Sequence, residues 1–313
     1  MNLICNNNKS ASDIFYFIGD KIGNSLTPFS FNEKKQIYIH SNDFFTIRRH
    51  LRKPFRLISK YIESTINKNY DEFKYIDEEL VSFISSFTNG TVHGYTTIWE
   101  YIKKYKEANL KCRILLSTAT QSGILDIVTE IFGKDKIILI EPKKYYRIKK
   151  IHFIPISKYN FDDDFWDSVV ELYRQYILKH KFSFEYKKIG IFKSNSYSSN
   201  YSCGEISNDD IIEFCKNNQI YNLNPTNFTE IENANILNNC EVFACSWGTA
   251  YYKNLRYIGD TCKNIYVFIP TEFLYEWNAR KNEKNSFYSK FKNANVKYYT
   301  LDKHRLSTLK LLS

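Results

Sequence analysis

The chain has 313 residues, 43% hydrophobic and 17% aromatic, with only 10 Gly and 6 Pro, which excludes a disordered, collagen-like or linker-like polypeptide. A formal net charge of +10 asks for an anionic partner, and charge alone leaves nucleic acid, an acidic membrane surface and a phosphorylated substrate open. The seven cysteines are odd in number and scattered, with no C-x-x-C pair, so a disulfide framework and a thiolate zinc site are not expected.

In chain order, the first ninety residues read as irregular and aromatic, with a strand at 36–40 and helical periodicity around 75–87. From about Gly94 the pattern becomes regular: a helix at 97–108, then a short apolar run at 113–117 that reads as a buried strand. A helix follows at 122–133, with Ser122 as N-cap candidate and Gly133 closing it. Strands are expected at 136–141 and 151–156. The polar stretch 157–164 reads as a seam, and a helix is expected from Phe165. The second half repeats the alternation, with strands at 188–193, 220–223, 241–246, 264–269 and 296–300. Its helices are expected at 209–216, 229–238 and 249–257, the first capped by Ser207 or Asn208. Apolar runs alternating with helices belong to parallel sheets. Two sets of them predict an α/β protein of two doubly wound, Rossmann-like domains facing one another, 1–164 and 165–313.

Ligands in open α/β sheets bind outside the carboxyl ends of the strands, so the turns there carry the candidates. The turn Cys245-Ser246-Trp247-Gly248-Thr249-Ala250 joins a strand to a helix, and Gly248 would let backbone N–H groups approach a phosphate at the positive helix end. Glycine is also common in strand-to-helix turns that bind nothing. Lys193 and Ser194 end the 188–193 strand, where the lysine could pair with the same phosphates, although most lysines there face water. His93 opens a helix in the first half.

The order of these features resembles glycosyltransferase family 61, the group containing capsular polysaccharide biosynthesis transferases and protein O-linked N-acetylglucosaminyltransferases. The resemblance spans roughly 88–270. It rests on Asn89-Gly-Thr-Val-His93 before a helix, and on Leu115-Leu-Ser-Thr-Ala-Thr-Gln121 leading to Ile131-Phe-Gly133. It continues through Ile191-Phe-Lys193-Ser194, Ser207-Asn208-Asp-Asp210 and the S-x-G-T form of a small-residue turn at Ser246–Thr249. Lys193 stands where arginine is usual, Trp247 where many members have histidine, and Thr97 where an acid often follows the helix-opening histidine.

The resemblance implies a two-domain GT-B fold, inverting transfer of a sugar from a nucleotide-sugar donor, UDP-linked, to a glycan acceptor, and neither cofactor nor essential metal. His93 would take the proton of the acceptor hydroxyl, its unperturbed pKa of about 6.5 leaving it largely neutral near pH 7. Lys193, Ser194, Ser246, Trp247, Gly248, Thr249, Ala250 and Asn254 would bind the nucleotide sugar. A binding protein without activity, on a degenerate transferase scaffold, is the alternative.

Two further segments carry charge. Asp162, Asp163 and Asp164 could hold the divalent ion of a metal-dependent glycosyltransferase, but their place before a helix is explained by capping and the helix dipole. Arg48, Arg49, Arg52, Lys53 and Arg56 form the densest basic patch, a solvated face or a contact with anionic lipid. No helix-turn-helix, zinc-finger, RRM or KH pattern points to nucleic acid. No apolar run approaches the roughly 18 residues of a membrane span, and residues 1–10 lack a signal-peptide core; a cytoplasmic protein, peripheral to a membrane at most, is expected.

Overall fold

The structure is a computed structural model, and it describes residues 3–5, 10–18, 28–31, 37–39, 73–84, 92–154, 175–192, 209–280, 294–301 and 309–312. The chain divides into two compact units, Met1–Asn160 and Phe161–Ser313. The seam at 157–164, the helix from Phe165 and the basic patch at 48–56 lie outside the described residues.

In the first unit the elements run β1 (Leu3–Cys5), β2 (Ser10–Ile18), β3 (Pro28–Phe31), β4 (Ile37–Ile39), β5 (Lys74–Ser82), α1 (Val92–Glu107), β6 (Arg113–Ser117), α2 (Ser122–Phe132), β7 (Ile137–Ile140) and β8 (Tyr145–Phe153). One sheet takes them in the order β1-β4-β3-β2-β8-β5-β6-β7. Strands β8, β5, β6 and β7 form a parallel block, to which β2 adds antiparallel along β8. This sheet is therefore mixed rather than wholly parallel. Its core gathers Leu80, Ile84, Leu115, Ile140, Tyr146, Ile148 and Ile151.

Three expectations are corrected here. Residues 74–82 form strand β5, not a helix: Leu80, Val81 and Ser82 pair with β6 on one side and β8 on the other, and ladders on both edges outweigh local periodicity. Helix α1 begins at Val92, ahead of the expected start. Helix α2 is capped by Gln121, whose side chain makes no capping bond, so Ser122 is its first residue and not its cap. Gly133 closes that helix at φ 85°. Around it, Phe83 stacks on Tyr101 at 5.2 Å and meets Tyr105 and Phe132 edge-on at 5.9 and 6.1 Å, which ties β5 to both helices.

The second unit contains β9 (Lys188–Ile191), α3 (Asp209–Asn217), β10 (Tyr221–Asn222), α4 (Glu230–Asn238), β11 (Val242–Ser246), α5 (Thr249–Asn254), β12 (Asn264–Pro270), α6 (Leu274–Arg280), β13 (Asn295–Leu301) and β14 (Lys310–Leu311). The order is β10-β9-β11-β12-β13-β14, parallel except for the final β14. Helices cover both faces. Phe214 of α3 packs on Tyr266, Phe268 and Tyr299 at 5.1, 5.3 and 5.5 Å. On the opposite face, Trp277 of α6 meets Tyr298 at 5.7 Å, and the Tyr251 hydroxyl of α5 lies 3.4 Å from that of Tyr298. This is a doubly wound arrangement. At Gly190 a Cβ would sit 2.6 Å from the Phe192 ring and 3.1 Å from Ile220, so any larger residue there displaces the Phe192 side chain.

Candidate functional site

The chain of the second unit goes from β9 to one side of the sheet, to β10, and then returns past β9 to β11. The strand order reverses between β9 and β11, and such a reversal opens a crevice at the carboxyl ends of the two strands. Ile191 pairs with Cys245, so the ends of β9 and β11 lie side by side. The turns singled out in the sequence follow these two ends.

Strand β11 is buried along Phe243, Ala244, Cys245 and Ser246. Ala244 packs with Ile211 and Cys215 of α3, and two-residue alternation places Ser246 on that same face. The ladder runs one residue past the strand, where Trp247 N–H donates to the Phe268 carbonyl at 2.8 Å. The backbone then turns at Gly248, φ 108° and ψ −143°, and α5 begins at Thr249. Only glycine enters this region without strain. The turn thus starts α5 just past the carboxyl end of β11, next to the reversal, and the first N–H groups of a helix have no partner within it.

Helix α5 is anchored from behind. Glu230, 4% exposed, accepts from Lys253 Nζ at 2.7 Å and from the Tyr257 hydroxyl at 2.7 Å. Glu230 opens α4, whose start is fixed by a reciprocal capping box between Thr229 and Glu232. The indole of Trp247 stacks on Tyr251 at 5.1 Å, an i,i+4 contact across the turn.

The expected site residues distribute as follows. Ser246 and Trp247 are buried, at 3% and 2% exposure, while Gly248 and Ala250 are half-buried. Thr249 is the first residue of α5. Asn254 is buried and its amide donates to the Ala250 carbonyl at 2.7 Å, one turn back in α5. Lys193 and Ser194 lie outside the described residues, which reach Phe192 on this side. His93 belongs to the other unit, as the second residue of α1. One turn further on, Thr97 is 1% exposed, and its hydroxyl has no hydrogen-bond partner among the described residues. Asp162, Asp163 and Asp164 lie outside the described residues. Among the described residues no three or more His, Cys, Asp or Glu gather where they could hold a metal ion, and no helix is long and apolar enough to cross a membrane.

The Glu230 anchor is absent from the sequence reading. Its one legible sign is the Thr229-x-x-Glu232 spacing that starts α4; the partners Lys253 and Tyr257 come from a different helix and its following turn. Against protein-family models and against curated proteins the chain matches none.

Proposed function

We propose that the protein is an inverting, metal-independent glycosyltransferase with a GT-B arrangement of two facing domains, transferring a sugar from a UDP-linked or similar nucleotide donor to a glycan acceptor. The observation that carries this reading is the reversal of strand order between β9 and β11, with a turn only glycine enters without strain at the end of β11. Nucleotides bind doubly wound sheets at such reversals, with phosphate on helix N–H groups. The motif order resembling glycosyltransferase family 61 supplies the sugar.

In the proposed reaction His93 accepts the proton of the acceptor hydroxyl as the new glycosidic bond forms. The nucleoside diphosphate leaves with its negative charge spread over the N–H groups of Thr249 and Ala250 and over Lys193 and Ser194. Trp247, buried on Tyr251, would shape the turn rather than stack on the base.

A thermal-shift panel of UDP-, GDP-, CMP- and dTDP-linked sugars tests the donor site: stabilisation by one nucleotide class is expected, and stabilisation by none rejects the reading. The base is tested separately, since turnover at the wild-type rate by His93→Ala removes His93 from the mechanism. Chelation by EDTA should leave turnover unchanged; loss reproduced by Asp162→Ala or Asp164→Ala would move the chemistry to a metal site. Thr97 favours one second reading, a nucleotide-binding protein without transferase activity. Its buried hydroxyl cannot stand in for an acid that assists the histidine. Binding without turnover of any donor would select that reading.

A further inference from the structure

Far from the crevice, at the amino ends of β11 and β12, the structure brings together two cysteines that are 22 residues apart in sequence. Val242 pairs with Asn264, so Cys240 and Cys262, each two residues earlier, stand level on neighbouring segments. Neighbouring strands lie about 4.8 Å apart, within the roughly 4.4–6.8 Å between Cα atoms that a disulfide spans. Three contacts hold the segments in place. The Thr261 hydroxyl reaches the carbonyl oxygens of Asn238 at 3.1 Å and of Cys240 at 3.0 Å. Lys263 N–H donates to the Glu241 carbonyl at 2.8 Å. Gly259 lies so close to Asn238 that a Cβ would meet its carbonyl oxygen at 2.3 Å.

We propose that Cys240 and Cys262 are an oxidisable dithiol that closes to a disulfide in exchange with a small-molecule disulfide. Both thiols are free, and the Cys262 thiol donates to the Asn264 carbonyl at 3.4 Å. Each thiol acts on the other, with Cys262 below the ordinary thiol range and Cys240, also raised by burial, well above it, which favours Cys262 as the attacking thiolate. Cys262 is 2% exposed, and Asp260, Thr261 and Lys263 beside it in the chain are exposed. In the first step the Cys262 thiolate bonds to one sulfur of the oxidant and expels the other as a thiolate, which takes up a proton. In the second, Cys240 gives up its proton, bonds to the Cys262 sulfur and expels the remaining half of the oxidant. The protein loses two protons and two electrons, and the oxidant takes them up to become two thiols. The bond would close the stretch 240–262, which holds β11, the Gly248 turn and α5.

The test is treatment of the whole protein with oxidised glutathione, blocking of remaining thiols with N-ethylmaleimide, and non-reducing peptide mapping. A peptide pair joined through Cys240 and Cys262 is expected, lighter by two hydrogens than its reduced halves and separated again by dithiothreitol. The joined pair should form as in wild type in Cys215→Ser and be absent from Cys240→Ser and Cys262→Ser. Oxidation should also raise the melting temperature of wild type and not that of Cys262→Ser. Only mixed disulfides on single cysteines, joined pairs at other cysteines, or unchanged thiols in wild-type protein would each overturn the proposal, whatever the folding of the variants.

Discussion

Gly248 stands at φ 108° and ψ −143°, where a Cβ clashes with the neighbouring backbone. Replacing it with alanine should cost about 1–3 kcal/mol, seen as a lower urea midpoint, and should shift the N–H groups that begin α5. Nucleotide-induced stabilisation should therefore fall by more than the stability loss accounts for; a variant that keeps its full thermal shift would separate the turn from the donor site. Glu230 is the other residue on which the turn depends. Its carboxylate is the shared acceptor for Lys253 and Tyr257, and α5 hangs on α4 through it. Removal of one partner of a buried ion pair costs about 3–5 kcal/mol. Glu230→Ala should reach that range in chemical denaturation. Glu230→Gln should cost less, because it retains an acceptor for the tyrosine; equal losses would show that the charge is irrelevant and only packing matters.

Among the elements, β5 and β8 carry a ladder of opposite charges along their shared edge. Asp77 pairs with Lys149 at 2.9 Å and Glu79 with Lys150 at 3.0 Å, with His152 also on Glu79. The hydrogen bonds from His152 and Lys150 hold Glu79 below the ordinary carboxylate range, and the bond from Lys149 does the same to Asp77. A depressed carboxyl contributes stability above its unfolded pKa and loses it as pH falls through the folded one. The melting temperature should thus drop on acidification below the ordinary carboxyl range, and Glu79→Gln should flatten that slope; an unchanged slope would place the acid sensitivity elsewhere. The same strand shows why β5 is not legible in the sequence. Ile76, Leu80, Val81, Phe83 and Ile84 sit at spacings that also suit a helix, and only pairing partners more than thirty residues away decide the matter. Strands β6, β11 and β12 are legible because their apolar runs are short and end in turn residues. The strands β9 and β11 are legible too, one by one. Their pairing is not, because it follows from β11 returning to the far side of β9, and no local pattern encodes strand order. The Glu230 anchor and the Cys240–Cys262 pair are hidden for the same reason.

At the scale of the whole molecule, each unit has its own sheet and its own core, and the proposed donor crevice belongs to the second unit alone. The cysteines offer a way to see this. Cys245 is fully buried one residue before Ser246, and burial pushes its thiol well above the ordinary range. It therefore reacts with a maleimide only when the second unit opens. Cys112, half-buried at the entry to β6 with its thiol raised by burial, labels without global opening and serves as the reference in the first unit. A donor nucleotide at about 100 times its Kd stabilises the form it binds by about 2.7 kcal/mol. Labelling of Cys245, followed site by site by mass spectrometry, should then slow about 100-fold, while labelling of Cys112 stays at its rate without ligand. Equal slowing at both would mean that the protection is not confined to the second unit. Slowing at Cys112 alone would put the nucleotide in the first unit and end the assignment of the donor site to the β9–β11 reversal.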